Sequence, residues 1–126
     1  AEFSVMENMP LLAFSPLAAG LLSGKYAGGV IPDGSRRSFS PELGGRVSPF
    51  VFEAVAAYLG VAARHGLDPC QMALAFCTSR PFPVIPIIGA TSPGQLATNI
   101  AAADLVLSPG ILAEIDQVHR AFPAPY

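Results

Sequence analysis

The chain has 126 residues and a formal charge of −2, a length that allows one domain at most. Apolar residues make up 52% and charged residues 13%, against roughly 25% charged in an ordinary soluble domain. This composition excludes intrinsic disorder, because disordered chains are rich in charge and poor in apolar residues. The seven Lys and Arg residues form no basic stripe, so nucleic acid is not an expected partner.

The apolar surplus is unusual for a small domain, whose surface is large relative to its volume. We interpret it as a surface that something else covers. No apolar run, such as residues 84–90, is long enough to cross a bilayer, and no secretory signal opens the chain. These features favour a cytoplasmic protein with no membrane partner.

The two cysteines, Cys70 and Cys77, lie seven residues apart. On a helix both would occupy one face, but roughly 10 Å apart along the axis, which is too far for a disulfide. They are therefore predicted to be reduced, buried thiols rather than a metal or redox pair.

The first third of the chain predicts one strand and a long loop. Residues 1–9 are typical of a helix end or a loop, and residues 10–14 (PLLAF) form a short apolar strand that Ser15 and Pro16 terminate. Residues 15–47 are rich in Gly, Pro and Ser, which predicts an irregular loop. Loops of this length are usually functional or disordered.

Two helices follow. Ser48 and Pro49 are an N-cap and a first helical residue, and the helix is expected to end at His65 with Gly66 as a left-handed C-cap. The spacing predicts an apolar stripe along it: Phe52, Val55, Leu59 and Ala62.

The second helix begins at Asp68 and Pro69, with Gln71 at capping-box spacing, and is expected to close at residues 80–81. Residues 84–88 (VIPII) are apolar throughout, which predicts a parallel strand covered on both faces. Ser92 and Ser108, each followed by proline, predict two more helix starts.

The element order is strand, long loop, two helices, strand, helix, helix. Parallel strands joined through helices make a βα unit that occurs about twice. Two strands cannot close a barrel or cover both faces of a sheet. The sequence therefore predicts an α/β architecture that is incomplete in this chain.

Two motifs resemble those of the aldo-keto reductases. Residues 11–26 (LLAFSPLAAGLLSGKY) are similar to the seventh strand and following loop, and residues 84–100 (VIPIIGATSPGQLATNI) to the eighth strand, the phosphate turn and the next helix. Residues 65–76 (HGLDPCQMALAF) are similar to a bacterial branch. The resemblance implies that residues 1–126 are the C-terminal βα units of a (β/α)8 TIM barrel. Active sites of such barrels lie at the carboxyl ends of strands, where both motifs fall.

A dinucleotide needs backbone N–H donors, small residues and a helix N-terminus near its phosphates. Residues 89–92 offer small side chains, two hydroxyls and the first turn of a helix, with no acidic residue between Ile88 and Leu96. The alternative is that Ser92 and Gln95 are simply a helix cap, and that residues 15–22 are an ordinary barrel loop.

The resemblance implies NADPH as cofactor and assigns its ligands. One set would line the pyrophosphate: Ser15, Pro16, Leu17, Gly20 and Lys25. A second set would hold the adenosine ribose and its 2′-phosphate: Ile88, Gly89, Ala90, Thr91 and Ser92. Gln95 and Asn99, one helical turn apart, would reach the ribose phosphate and the adenine edge. Many family members carry a basic residue in this helix turn; here there is none, so NADH stays an alternative. Arg36 and Arg37 would either fold over the phosphates or, as the sequence favours, be solvated surface charges.

The family's reaction transfers a hydride to a carbonyl, with a tyrosine as proton donor supported by lysine, aspartate and histidine on early strands of the barrel. We expect that half to lie outside this chain, because Tyr26, Tyr58 and Tyr126 match no catalytic position. Tyr58 is expected to pack between helices. His65 lies at a helix C-terminus, where a side chain that can carry positive charge is favourable, and that structural role is expected for it. No metal site is predicted.

The predicted function is therefore the NADP(H)-binding part of a reductase of small aldehydes or ketones, inactive by itself. The alternative is a non-catalytic partner-binding or regulatory module, since some relatives are subunits of potassium channels. Uncovered strand edges would then be covered by self-association or by another chain.

Overall fold

A computed structural model describes residues 2–125. The described residues form two strands, β1 (Leu11–Phe14) and β2 (Val84–Ile87). The helices are α1 (Glu2–Met6), α2 (Arg36–Phe39), α3 (Val51–Arg64), α4 (Pro69–Thr78), α5 (Pro93–Ala101) and α6 (Pro109–Ala121). The element order predicted from the sequence is thus confirmed, and Ala1 and Tyr126 lie outside the described residues.

The two strands pair in parallel, in a register that runs from Leu11 opposite Val84 to Phe14 opposite Ile87. The long loop, α3 and α4 form the connection between them. Parallel pairing brings the carboxyl ends of both strands to the same edge of the sheet. That edge is where the two predicted ligand segments begin, at Ser15 and Ile88.

One face of this sheet is open to solvent, which corrects the expectation that the second strand is covered on both sides. Leu12 and Phe14 are 60% and 78% exposed, and their register partners Ile85 and Ile87 are 54% and 49% exposed. We call these four residues the exposed sheet face. On the opposite face, Pro86 lines a small cavity together with residues of α4 and α5, and α4 contacts β2. In the part of the chain that the structure describes, helices therefore cover one side of β2.

The helical core lies among α3, α4 and α6. Its buried side chains come from all three helices and the segment before α6: Val61, Ala62, Met72, Ala75, Leu107 and Ile115. Tyr58 packs against this cluster, so its predicted role in helix packing is confirmed. Burying a Val, Leu, Ile or Met side chain stabilises the folded state by about 1.5–3 kcal/mol relative to leaving it exposed.

Three predicted N-caps are confirmed. The side chains of Asp68, Ser92 and Ser108 accept hydrogen bonds from N–H groups three residues on, at 3.0, 3.2 and 3.3 Å respectively. Each cap precedes a proline at the first helical position, where a missing N–H costs nothing. These signals start α4, α5 and α6 at the predicted residues.

The boundaries of α3 and α4 differ in part from prediction. α3 begins at Val51 rather than at Pro49, because the Val51 N–H bonds the Ser48 carbonyl at 3.3 Å and its hydroxyl at 3.1 Å. This closes a tight turn before the helical ladder starts. α4 ends at Thr78, two residues before Arg80. The predicted C-cap of α3 is confirmed, since Gly66 is left-handed at φ +63°.

The loop of residues 15–47 is more ordered than the irregular segment that was expected. It contains 3-10 turns at Ala18–Ser23 and Ala27–Gly29 and the short helix α2. Leu21, Tyr26 and Leu43 are buried in a second apolar cluster against α3. The Gly- and Pro-rich composition hid this cluster, because its apolar residues are widely spaced and show no period.

No single helix of the described chain has the length and hydropathy of a membrane span, although Pro93–Asp104 and Pro109–Ala121, bent by 117°, reach both together.

Candidate functional site

The two predicted ligand segments start side by side. Phe14 and Ile87 are the last register pair of the sheet, so Ser15 and Ile88 leave adjacent strands at the same edge. Ser15 opens the loop that packs on α3 and α4, and Ile88 opens the turn that leads into α5. The structure thus brings the beginnings of both segments together.

In the first segment, Gly20 and Lys25 lie against each other. Gly20 has a φ of +94°, and a Cβ placed there would lie 3.0 Å from Lys25 Cε. Ser23 Oγ donates to the Gly20 carbonyl at 2.7 Å, and Lys25 Nζ lies 5.1 Å from the centre of the Tyr26 ring. The exposed ammonium group of Lys25 therefore lies beside Gly20, whose backbone conformation is one that residues with a side chain rarely adopt.

The same segment carries left-handed residues other than glycine. Ser15, Ala18 and Ala19 have φ values of +56°, +49° and +57°. Such conformations cost roughly 1–3 kcal/mol each and persist where the surroundings over-determine them. Pro16 and Leu17, between them, are half-buried.

In the second segment, residues 88–92 are exposed. No described atom lies within 4 Å of the position that a Cβ on Gly89 would take, so the turn has open space beside it. Gln95 folds back onto the turn, where its Oε1 accepts from Thr91 N at 2.9 Å and from Thr91 Oγ1 at 3.0 Å. The amide nitrogen of Gln95 is left as a donor beside the first turn of α5.

Asn99 differs from Gln95 in burial, although both are on one helix face. Gln95 is exposed, whereas Asn99 is 7% exposed. Asn99 lines a small cavity of about 260 Å³ together with Leu74, Pro86 and Ile88. Asn99 therefore lies in the interior, beside a cavity that it shares with Ile88, whereas Gln95 lies at the surface.

Arg37 contradicts the favoured expectation of a solvated surface charge. It is 9% exposed, and its Nε and Nη1 donate to the carbonyls of Pro41 and Gly29 at 3.3 and 3.4 Å. The guanidinium also lies 5.7 Å from the Tyr26 ring and 5.3 Å from the Phe52 ring. Its neighbour Arg36 is exposed, as expected. No local pattern distinguishes Arg37 from Arg36, because Tyr26 and Phe52 are distant along the chain.

The remaining titratable candidates, Tyr58, Cys70, Cys77 and His65, are partly buried or paired with a neighbouring side chain. Burial raises the pKa of Tyr58, and it is also the largest cause of the raised pKa of both Cys70 and Cys77. Both cysteines are free, and a raised pKa keeps a thiol protonated and unreactive at neutral pH. His65 bonds Glu114 at 2.7 Å. Among residues 2–125 there is no group of three His, Cys, Asp or Glu that could hold a metal ion.

A larger concavity of about 950 Å³ lies elsewhere, between α3, α4 and α6. It is lined mainly by apolar side chains and includes Pro16 but none of residues 88–99. We place the candidate site at the sheet edge, where the N-terminus of α5 lies beside the open space at Gly89 and where the segment that begins at Ser15 leaves the adjacent strand.

Comparison with known proteins assigns the chain to a protein family. The family model "Aldo/keto reductase family" matches residues 1–120. The protein Tas of Escherichia coli is 46% identical over 99% of this chain, and an oxidoreductase of Mycobacterium bovis is 39% identical over 95% of it. A probable voltage-gated potassium channel subunit beta of Arabidopsis thaliana is 36% identical over 90%. The chain spans 36–37% of the length of these relatives.

A solved structure, a glycerol dehydrogenase from Gluconobacter oxydans, superposes on 99% of this chain with a TM-score of 0.73 and 24% identity. The superposition covers 38% of that enzyme. It confirms the predicted fold class, α/β units of a (β/α)8 barrel. The family model and the sequence identities together establish that the chain belongs to the aldo/keto reductase family.

Proposed function

We propose that this chain binds NADP(H) as part of an oxidoreductase that reduces aldehydes or ketones. Family membership supports an oxidoreductase origin. The observation that carries the proposal is the pairing of Phe14 with Ile87, which sets two small-residue segments side by side at the carboxyl edge of the sheet. Barrel enzymes bind their ligands at that edge.

The residues present fit the phosphates of a dinucleotide. The first turn of α5 leaves N–H groups without helical partners, and the Ser92 hydroxyl takes up the one on Gln95. Gly89 leaves space for close approach of a ligand to the backbone. Lys25 adds a positive charge, and residues 88–96 carry no carboxylate that would repel an anion. This combination of donors and charge is typical of an anion site.

We propose the following division of contacts. The pyrophosphate would be held by Ser15, Pro16, Leu17, Gly20 and Lys25. The adenosine ribose and its phosphate would be held by Ile88, Gly89, Ala90, Thr91, Ser92 and Gln95. Asn99 would act from the cavity that it lines together with Ile88.

The bound cofactor would supply the hydride, whereas the described residues bind and orient it. Lys25 would neutralise phosphate charge, and the α5 N-terminus would fix the adenosine end. No described residue is proposed as a proton donor, since Tyr26 is buried and Tyr58 packs against the helical core. We therefore expect no carbonyl reduction by this chain alone. Sustained NADPH oxidation with an aldehyde, in protein of verified mass, would contradict that expectation.

We propose only weak preference for NADPH over NADH. Residues 88–99 hold no Lys or Arg, and the neutral amide of Gln95 lies beside Thr91 in the turn. A neutral donor discriminates less than a charge-assisted pair with phosphate.

The test is a calorimetric titration of the full chain with NADPH and with NADH. Saturable binding of NADPH is expected. Lys25→Met should weaken it about tenfold, the equivalent of roughly 1.4 kcal/mol for one charge-assisted contact. Arg120→Met, on an exposed part of α6, is the matched control and should leave affinity unchanged. Absence of saturable binding by folded wild-type protein would refute the proposal.

A second candidate function is a non-catalytic module that binds a partner protein. The exposed sheet face favours it, because contiguous apolar surface of this kind usually marks an interaction site. The relative from Arabidopsis thaliana is named as a potassium channel subunit. Sedimentation at several protein concentrations distinguishes the two: a defined oligomer without NADPH binding supports the module.

A further inference from the structure

We infer that Arg37 and Tyr26 are positioning residues for the nucleotide loop, by which we mean residues 15–25. Together they hold the shape of this loop, which begins at the sheet edge with Ser15 and places Lys25 over the Tyr26 ring. The inference rests on the proposed function, since it concerns how the same site is organised before the cofactor arrives.

Tyr26 anchors the end of the nucleotide loop. Its side chain is 1% exposed and packs in the cluster formed by Leu21, Leu43 and residues of α3. Lys25 Nζ lies 5.1 Å from the ring centre, within the range of a cation–π contact. A Cβ on Gly20 would lie 3.6 Å from the ring. The Tyr26 ring therefore lies beneath both Gly20 and Lys25.

Arg37 fastens the distal part of the long loop onto this ring. Its backbone N–H donates to the Tyr26 hydroxyl at 3.4 Å, and its guanidinium lies near the Tyr26 and Phe52 rings. The two guanidinium hydrogen bonds reach carbonyls on both sides, at Gly29 and Pro41. One side chain thus joins the segment after Tyr26, the segment after α2, and α3.

The burial of Arg37 indicates a structural role in the loop. Removing a cation from water is costly unless other groups satisfy it, and within the described chain its contacts are carbonyls and aromatic rings rather than a carboxylate. The neighbouring Arg36 stays exposed to solvent. We interpret the burial of Arg37 as a sign that its contacts restrain the loop.

The nucleotide loop needs such a constraint because of its backbone. Ser15, Ala18 and Ala19 are left-handed, and that conformation persists only where neighbouring structure enforces it. If the contacts of Arg37 and Tyr26 loosened, the loop would relax toward ordinary conformations. The cofactor would then have to order the loop on binding, which lowers affinity.

The experiment compares wild type with Arg37→Met, Arg37→Lys, Tyr26→Phe and the control Arg120→Met, by amide hydrogen exchange and by NADPH calorimetry. In R37M, exchange of residues 15–25 should be at least tenfold faster, while exchange of α3, α4 and α6 stays as in wild type. The Kd for NADPH should rise about tenfold. Saturating NADPH should restore protection of the loop.

The other variants separate positioning from bulk stability. R37K should be intermediate, because an ammonium cannot stack and bond two carbonyls as a guanidinium does. Y26F keeps the ring and loses the hydroxyl acceptor. Loop exchange should therefore be about threefold faster than in wild type, and the Kd for NADPH about threefold higher. This variant provides the test if R37M fails to fold.

Three results would count against the inference. Loop exchange and Kd in R37M within twofold of R120M would overturn it, and so would a uniform loss of protection over all helices. Wild-type protein that binds no NADPH would remove the proposed function and this inference with it. That last result is distinct from wild-type binding that R37M leaves unchanged, which removes the positioning role alone.

Discussion

Thr91 holds the side chain of Gln95 at two points: its backbone N–H and its hydroxyl both donate to Gln95 Oε1, at 2.9 and 3.0 Å. The backbone N–H of Gln95 is in turn bound by Ser92 Oγ at 3.2 Å. Gln95 is therefore fixed at both its main chain and its side chain. Because the amide oxygen is occupied, the nitrogen is the group that remains to meet a ligand phosphate.

This geometry predicts how cofactor preference can be changed. Gln95→Arg should raise the preference for NADPH over NADH about tenfold, because a guanidinium forms charge-assisted hydrogen bonds with a 2′-phosphate. Gln95→Glu should shift the preference toward NADH by like-charge repulsion. The measurement is the ratio of the two dissociation constants by calorimetry. Gln117→Arg, on the exposed side of α6, is the control, and an equal shift there would contradict the assignment.

Two serine caps in the same local sequence allow a matched comparison. Ser92 and Ser108 are both followed by Pro-Gly, and both accept from an N–H three residues on. Replacing either by alanine should lower the free energy of unfolding by about 1 kcal/mol. Only Ser92→Ala should also weaken NADPH binding, because Ser92 lies at the proposed phosphate turn. Urea denaturation and calorimetry on both variants check this. Equal effects of the two substitutions on Kd would count against the phosphate turn.

The sequence predicted the starts of α4, α5 and α6 because their signals are local. A cap such as Asp68 acts on an N–H three residues away, so the sequence pattern contains the whole interaction. The parallel pairing of β1 and β2 also followed, since the helical crossover between them leaves little choice. The resemblance to a barrel family placed both motifs at the carboxyl ends of strands, and the observed pairing sets those ends side by side.

Features that depend on distant residues escaped prediction. Arg37 lies 11 residues from Tyr26, and no local pattern marks a buried arginine in a Gly- and Pro-rich loop. The exposed sheet face escaped because β2 is apolar on both faces, and only the placement of α4 decides which face is covered. The different burial of Gln95 and Asn99 likewise depends on where α5 packs against α4.

The exposed sheet face predicts self-association. Phe14 and Ile85 contribute large apolar side chains to it, and apolar surface that is open to water favours contact with another such surface. Phe14→Lys should shift sedimentation toward the monomer, with little loss of stability because the side chain is already exposed. Val106→Lys replaces a side chain that is 88% exposed and outside this face, so it serves as the control. If F14K and V106K sediment as wild type does at every concentration, the face is not a contact surface.

Glu114 links α3 to α6 and predicts a pH dependence of stability. Arg64 Nη2 lies 2.6 Å from Glu114 Oε2, and His65 Nε2 lies 2.7 Å from Oε1. The hydrogen bond from Arg64, followed by that from His65, lowers the pKa of Glu114 from its ordinary value of 4.5. A carboxyl whose pKa is lowered by folding stabilises the folded state above its unfolded pKa, and this contribution is lost as the pH falls through the folded pKa.

The expected result is a small difference in Tm between wild type and Glu114→Gln, about 1–3 °C near neutral pH, because exposed ion pairs contribute little. That difference should shrink as the pH is lowered below 4.5, the ordinary pKa of the group, and 1 M salt should reduce it at neutral pH. Glu53→Gln, at an exposed position on α3, is the control. A difference in Tm that is the same at neutral pH and well below 4.5 would mean that Glu114 stabilises the helix pair by packing alone, since protonation would then leave its contribution unchanged.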